Sequence, residues 1–294
     1  MDCGGVVLAG GRSSRMGAPK AALEWHGSTL LRRTVGIVAR ATGGPVVVVR
    51  AAGQDLPALP GDAIVVDDPR EGKGPVQGIA AGLAVLVGQA DAAFVTSTDL
   101  PFLHPAFIGR VLRALDPPDG GPDVALPVAR GYQQPLAAAY RTGLAELAEH
   151  LVKSGRLRPA FLFAECAVTR LDHAALLADP VLAVFDQDLD SVLNVNTPDD
   201  YRAARQRPAP EVTVRLPGGL AAAGRPGGPR AVRTETVRTE TVRAATVRAA
   251  ADAVGLPLDA QVAATVNDGR ATGDPETPLA AGDTVFFAPA AVGA

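Results

Sequence analysis

The sequence predicts a doubly wound α/β domain with a mostly parallel sheet, followed by a small α+β domain. Three observations carry this. Short apolar runs alternate with helix-length segments over residues 1–206. The composition shifts at Arg205-Gln206-Arg207-Pro208-Ala209-Pro210, which reads as a linker. Beyond it, Val212-Thr213-Val214-Arg215-Leu216 alternates like a half-buried strand. The expected boundaries are therefore 1–207 and 208–294.

In chain order, the candidate strands of the first domain are 4–9, 45–50, 63–66, 92–97, 123–128 and 134–140. The candidate helices are 28–41, 75–87, 105–115, 141–152 and 198–206. The first strand holds the buried-type run Val6-Val7-Leu8. Gly72 to Ile79 is a glycine-bounded helix start, and Thr197-Pro198 supplies an N-cap threonine with proline at N1. In the second domain a Gly/Pro-rich loop spans 217–229. A pentapeptide then repeats as AVRTE, TVRTE, TVRAA, TVRAA over 231–250. A period of five matches neither a strand face nor a helix face, so the repeat reads as a strand running into a helix over 244–254. Val262 to Asn267 and Thr284 to Ala288 are further strands, with turn chemistry at Asn267-Asp268-Gly269.

Bulk properties narrow the function classes. The chain has 294 residues, 47% of them apolar, and a net charge of 28 − 31 = −3. That charge gives no pull toward nucleic acid or membranes. Aromatics are too few for base-stacking platforms. Cys3 and Cys166 make neither a disulfide framework nor a metal site. No apolar run reaches the ~18 residues of a membrane span. The N-terminus enters a strand without a signal-peptide pattern. A soluble cytoplasmic protein is expected.

The chemistry concentrates in Leu8 to Lys20, LAGGRSSRMGAPK. After the first strand the chain turns through Gly10-Gly11 and carries Arg12, Arg15 and Lys20 from a Gly/Ser-rich loop. Exposed backbone N–H groups and cations suit a polyphosphate. Neither the P-loop nor the dinucleotide fingerprint fits its spacing. The chain has three lysines against 25 arginines, and three asparagines. Under that bias Lys20 and the pair in Asn194-Val195-Asn196 stand out. Asp99 follows the 92–97 strand at the edge where such sheets bind ligands, and suits Mg²⁺ or a turn equally. Asp68 could meet a base or sugar, or start the turn before Pro69. Gln134 is a candidate acceptor-substrate contact. His26, His104, His150 and His173 form no catalytic pattern.

LAGGRSSRMGAPK, GPVQGI, the TDLP segment and NVNTPDD together resemble the molybdenum cofactor guanylyltransferase family, across about residues 3–206. That family belongs to the nucleotide-sugar-pyrophosphorylase-like nucleotidyltransferases, with a Rossmann-like fold. The resemblance implies transfer of GMP from GTP to molybdopterin with release of pyrophosphate. It implies nucleotide contacts from Leu8, Ala9, Gly10, Gly11, Lys20, Asp68 and Asp99, with Arg15, Lys20 and Asp99 catalytic. Asp99 would ligate Mg²⁺, and Gln134, Asn194 and Asn196 would face the pterin and its phosphate. Cytidylyl transfer to the same pterin is the neighbouring reading. The tail resembles the sulfur-carrier small subunit of molybdopterin synthase, a ubiquitin-like β-grasp fold, through Val266 to Gly269, Thr277-Pro278-Leu279 and Gly282 to Pro289. Those carriers end in Gly-Gly, whereas this chain ends Gly293-Ala294. A docking module toward molybdopterin-synthesis proteins is the expectation, with an active carrier or scaffold as the alternative.

Overall fold

Strand β1 (Cys3–Leu8) is buried on both faces, and its side chains show what covers each. Alternate residues of a strand face opposite sides. A Cβ on Gly4 would meet Leu86, whereas one on Gly5 would meet Val38. Those two partners belong to different helices, so helices lie on both sides of the sheet. The computed structural model describes residues 1–10, 19–68, 74–117, 120–217, 220, 237–258, 262–267 and 269–289. Gly11, Arg15, Asp268, the 231–236 part of the repeat and the C-terminal Gly293-Ala294 lie outside them.

After β1 come a short hairpin, β2 (Glu24–Trp25) and β3 (Ser28–Thr29), and then α1 (Leu30–Thr42). Next are β4 (Val46–Ala51), β5 (Ile64–Asp68), α2 (Pro75–Leu86), β6 (Ala92–Ser97) and α3 (Pro105–Arg113). Strands β7 (Val124–Ala129), β8 (Tyr132–Gln133) and β9 (Ala137–Arg141) precede α4 (Ala145–Lys153) and α5 (Pro159–Phe163). Strand β10 (Val168–Leu171), α6 (His173–Leu177), α7 (Pro180–Phe185) and α8 (Pro198–Gln206) complete this part. The sheet order is β10-β7-β9-β6-β1-β4-β5, with β8 paired to β7. Strands β6, β1, β4 and β5 are mutually parallel and β10 is parallel to β7; β9 runs antiparallel between β7 and β6.

Residues Gly4, Val6 and Leu8 all face α2, at Leu86, Gly82 and Gly78 respectively. Two residues of strand rise about as far as one helical turn, so the spacings match. The glycines let helix and strand approach: a Cβ at Gly82 would come 2.3 Å from Val6 Cγ1. Helix α2 therefore runs opposite to β1 and starts at the sheet edge where β1 ends. Beneath α2 and α4 lies a core of Val6, Ile79, Leu83, Val95, Tyr140 and Leu151. Helices α1 and α3 pack on each other, and Phe107 of α3 meets Phe94 of β6 edge-on at 6.4 Å.

The expected elements are present, with informative differences. The expected 134–140 strand begins only at Ala137, because Gln134 to Leu136 turn after the β7–β8 hairpin. The expected helix at 141–152 opens with a 3-10 turn, Thr142–Leu144, before α4. The expected helix at 28–41 starts at Leu30, since Ser28 and Thr29 pair as β3 and Thr29 caps α1 through Arg32 N–H. The hairpin, α5, β10, α6 and α7 are short and carry too few periods for sequence patterning to expose.

The chain forms two compact units, Met1–Leu23 with Thr29–Ala204, and Glu24–Ser28 with Arg205–Ala294. The second unit holds β11 (Glu211–Pro217), β12 (Val237–Arg243), α9 (Val247–Ala253), β13 (Val262–Val266), β14 (Ala271–Thr272) and β15 (Thr284–Pro289). Its sheet order is β12-β11-β15-β13-β14, with β11 and β15 parallel and the other pairs antiparallel. Val212, Val214 and Leu216 face inward with Val247, Ala250 and Phe287. Asn267, at φ 53°, ends β13; its side chain donates to Asp283 Oδ1 and accepts from Thr284 N–H, both at 2.8 Å. Turn chemistry at 267–269 predicts a direct join from this strand to the 284–288 strand; β14 intervenes instead, and the side chain of Asn267 ties β13 to β15.

Candidate active site

Strands β1, β4, β5 and β6 are parallel, so their C-terminal ends share one sheet edge. Ligands on such sheets bind there because loop ends and helix N-termini converge. Leu8 to Gly10, Ala51, Asp68 and Ser97 to Asp99 all lie at this edge. Lys20 opens a 3-10 turn, Lys20–Ala22. Its ammonium donates to Asn196 Oδ1 at 2.8 Å and lies 3.4 Å from Asp99 Oδ2. The Lys20 and Asp99 side chains keep 19% and 21% of their exposure.

Asp99 is held from several directions. Ser97 Oγ donates to Asp99 Oδ1, leaving Oδ2 toward Lys20. Leu100 is buried, and the buried Arg33 of α1 donates from Nε to Pro101 O at 2.8 Å. Val195 N–H donates to Asp99 O at 2.9 Å. With Val195 buried, the alternation of an extended chain leaves Asn194 and Asn196 exposed on either side of it. Thr197 and Asp200 form a reciprocal cap at the start of α8: Asp200 N–H donates to Thr197 Oγ1, while Asp200 Oδ2 accepts from Asn196 and Thr197 N–H. The Thr197 hydroxyl, the two backbone donors and the nearby Lys20 charge hold the Asp200 carboxyl below its ordinary range.

Upstream, the buried Asp186 accepts from Asp190 N–H at 2.6 Å and Ser191 N–H at 3.1 Å. Ser191 Oγ in turn accepts from His104 N–H at 3.0 Å. Burial pushes the Asp186 carboxyl up to about 6 despite these donors. His104 caps α3 through Nδ1, which accepts from Ala106 N–H.

Ala9 N–H and Gly10 N–H both donate to Val49 O, at 2.8 and 3.2 Å, and Ala9 O accepts from Gln54 Nε2 at 3.1 Å. Those backbone groups are engaged within the fold. Asp68 ends β5 at the same edge, opposite Ala51 of β4. Gln134 sits at this edge beyond β7, and its amide donates to Ala129 O at 3.1 Å, inside its own hairpin. Ser97, Arg33, Gln54, Asp186 and Asp200 were not singled out by sequence. The partners of Arg33 and Gln54 lie 68 and 45 residues away, so no local motif marks those two, whereas Ser97, Asp186 and Asp200 pair with near neighbours in sequence.

For a divalent cation the described donor set is sparse: no cluster of three or more His, Cys, Asp or Glu side chains occurs among the described residues. One carboxylate at a ligand edge fits Mg²⁺, which takes one or two carboxylates and completes its shell with water and phosphate oxygens. It does not fit a structural zinc site.

A parallel-sheet edge presenting a lysine, an aspartate and an asparagine together, next to a glycine-rich segment, defines a phosphate-handling α/β protein. A model of the MobA-like NTP transferase domain matches residues 5–169, and the chain belongs to that family of nucleotidyltransferases. It is 33% identical over 209 residues to a probable molybdenum cofactor guanylyltransferase of Mycobacterium avium (strain 104), covering 70% of this chain and 96% of the relative. It is 39% identical over 161 residues to the probable molybdenum cofactor guanylyltransferase of Mycobacterium tuberculosis (strain ATCC 25618 / H37Rv), covering 54% of this chain and 77% of the relative. Molybdopterin-guanine dinucleotide biosynthesis protein A from Archaeoglobus fulgidus shares its fold, at TM-score 0.53 and 23% identity over 69% of this chain and 97% of that one.

Proposed function

We propose that this chain transfers GMP from GTP to the terminal phosphate of molybdopterin, forming the guanine dinucleotide cofactor and releasing pyrophosphate. The observation that carries the reading is the convergence of Lys20, Asp99 and Asn196 at the ligand edge of the sheet. The names of the relatives supply the base and the pterin.

The acceptor is a phosphate monoester, already anionic near neutral pH, so its oxygen needs no strong general base. It attacks the α-phosphorus in line. Catalysis then rests on positioning and charge neutralisation. Lys20 neutralises the triphosphate, and Arg15 adds charge from the loop. Asp99 would hold Mg²⁺, with Ser97 orienting the carboxylate. Mg²⁺, when bound, supplies charge neutralisation at the phosphates. Asn196, aligned by its bond to Lys20, and Asn194 orient the acceptor phosphate. Leu8 to Gly11 and Asp68 form the nucleotide side, and Gln134 the pterin side. We further propose that the second unit is a β-grasp module that docks molybdopterin-synthesis proteins. Its mixed sheet with β11 and β15 parallel at the centre, and the α9 packing beneath it, support that reading. A cytoplasmic enzyme is consistent with this role.

The test is turnover of GTP or CTP with molybdopterin and Mg²⁺. GTP consumption with pyrophosphate release, lost in Asp99→Ala while circular dichroism is unchanged, is the expected result. Strong preference for CTP overturns the guanylyl assignment, and inertness toward both overturns the nucleotidyl reading.

A further inference from the structure

The corner between β1 and β4 is closed by a side chain acting as a peptide. Ala51 to Gln54 form a turn, with Gln54 N–H donating to Ala51 O at 3.0 Å and Gly53 at φ 72°, a conformation that favours glycine. The turn folds the Gln54 side chain back over the strand ends. Its Oε1 accepts from Ala51 N–H at 3.0 Å, and its Nε2 donates to Ala9 O at 3.1 Å. One amide thus extends the β1–β4 ladder past its last backbone bond, Gly10 N–H to Val49 O. The turn is itself anchored: Arg50 Nη1 donates to Gln54 O at 3.0 Å, and Arg50 Nε pairs with Asp67 Oδ1 of β5 at 2.7 Å. Asp67, Arg50, Gln54 and Ala9 form a chain of contacts across the ends of three adjacent strands. The approach is close as well, since a Cβ on Gly10 would come 3.0 Å from Ala51 N.

We propose that Gln54 is a positioning residue for the nucleotide, fixing the Ala9 peptide from which the glycine-rich segment departs. The inference rests on the nucleotidyltransferase reading. An amide is the group this position needs, because the corner offers one donor and one acceptor at once. A glutamate of the same shape keeps the acceptor for Ala51 N–H and loses the donor for Ala9 O. A methionine loses both.

The experiment compares the full-length protein with Gln54→Glu and Gln54→Met. It reads GTP binding by calorimetry with Mg²⁺, steady-state KM and kcat, and amide exchange over residues 6–10. The expected result is a roughly tenfold rise in the Kd and KM for GTP in both variants, the scale of one lost hydrogen bond, with kcat within about twofold. Exchange over 6–10 quickens in both. A Gln54→Glu variant that binds GTP like the native protein, or unchanged exchange in Gln54→Met, overturns the proposal. Native protein that binds neither GTP nor CTP overturns the nucleotidyltransferase reading and, with it, the role of Gln54 toward nucleotide, whereas native protein that binds a nucleotide no better than its Gln54 variants overturns the role of Gln54 alone.

Discussion

Lys20 is where the residue scale is most decisive. Its ammonium bridges a carboxylate on one loop and an amide 176 positions away. Lys20→Met removes the charge and keeps the bulk. In the proposed reaction kcat/KM should fall by roughly 10²–10³-fold, the range for losing one preorganised donor. Turnover within threefold of native would remove Lys20 from the mechanism. Asn196→Ala should cost less, about tenfold, since it removes only a neutral partner. Steady-state kinetics at saturating Mg²⁺ separates the two. Lys20, Asp99 and Asn196, which the fold brings together, stood out in the sequence by rarity and strand-end position. Arg33 and Gln54 did not, because each is defined by a partner that only folding supplies.

Elements carry two further expectations. The segment from Asp186 to Asn196 is shaped by one buried carboxylate that holds two backbone donors. Burial raises that carboxyl from 3.8 to about 6. The folded state therefore binds the proton more tightly than the unfolded chain. The contribution to stability is present below the unfolded value near pH 4 and is lost as pH rises through 6, by about 3 kcal/mol. Thermal melts of native protein and Asp186→Asn between pH 4.5 and 7.5 should show native protein losing ground to the variant as pH rises. A gap that stays constant with pH would remove Asp186 as the titrating group. The second expectation concerns α2 on β1. Gly82→Ala would drive a methyl into Val6 and should destabilise by about 1–3 kcal/mol, read as a lower midpoint in urea. The apolar runs announced β1, β4 and β6, and proline with glycine announced α2. Short elements such as β10 and α7 span too few residues for a pattern, and strand pairing, capping and the burial of Leu171 and Leu182 stabilise them.

At the scale of the whole molecule, the chain forms two compact units, each with its own sheet and core. Calorimetry should resolve two unfolding transitions. GTP with Mg²⁺ should raise only the larger unit's transition, by about 2.7 kcal/mol at a hundredfold excess over Kd. One transition that moves as a whole would contradict this. The shift of composition at Arg205 to Pro210 was legible in the sequence. The assignment of Glu24–Ser28 to the second unit was not, because those residues lie far from it in sequence.

Local order was set by the sequence alone. Apolar runs, caps and turn residues dictate which segments are strands and helices, since those preferences act over a few neighbouring residues. The scarcity of lysine and asparagine, read with the glycine-rich loop, named the residues of the ligand edge. Only the tertiary structure decided how they meet. Whether Asn196 reaches Lys20, which backbone donor meets Asp99 O, and which side chain completes the corner at Ala9 depend on contacts between distant parts of the chain. Such contacts leave no local trace, because the free energy that selects them comes from burying and pairing groups that only the folded chain brings together.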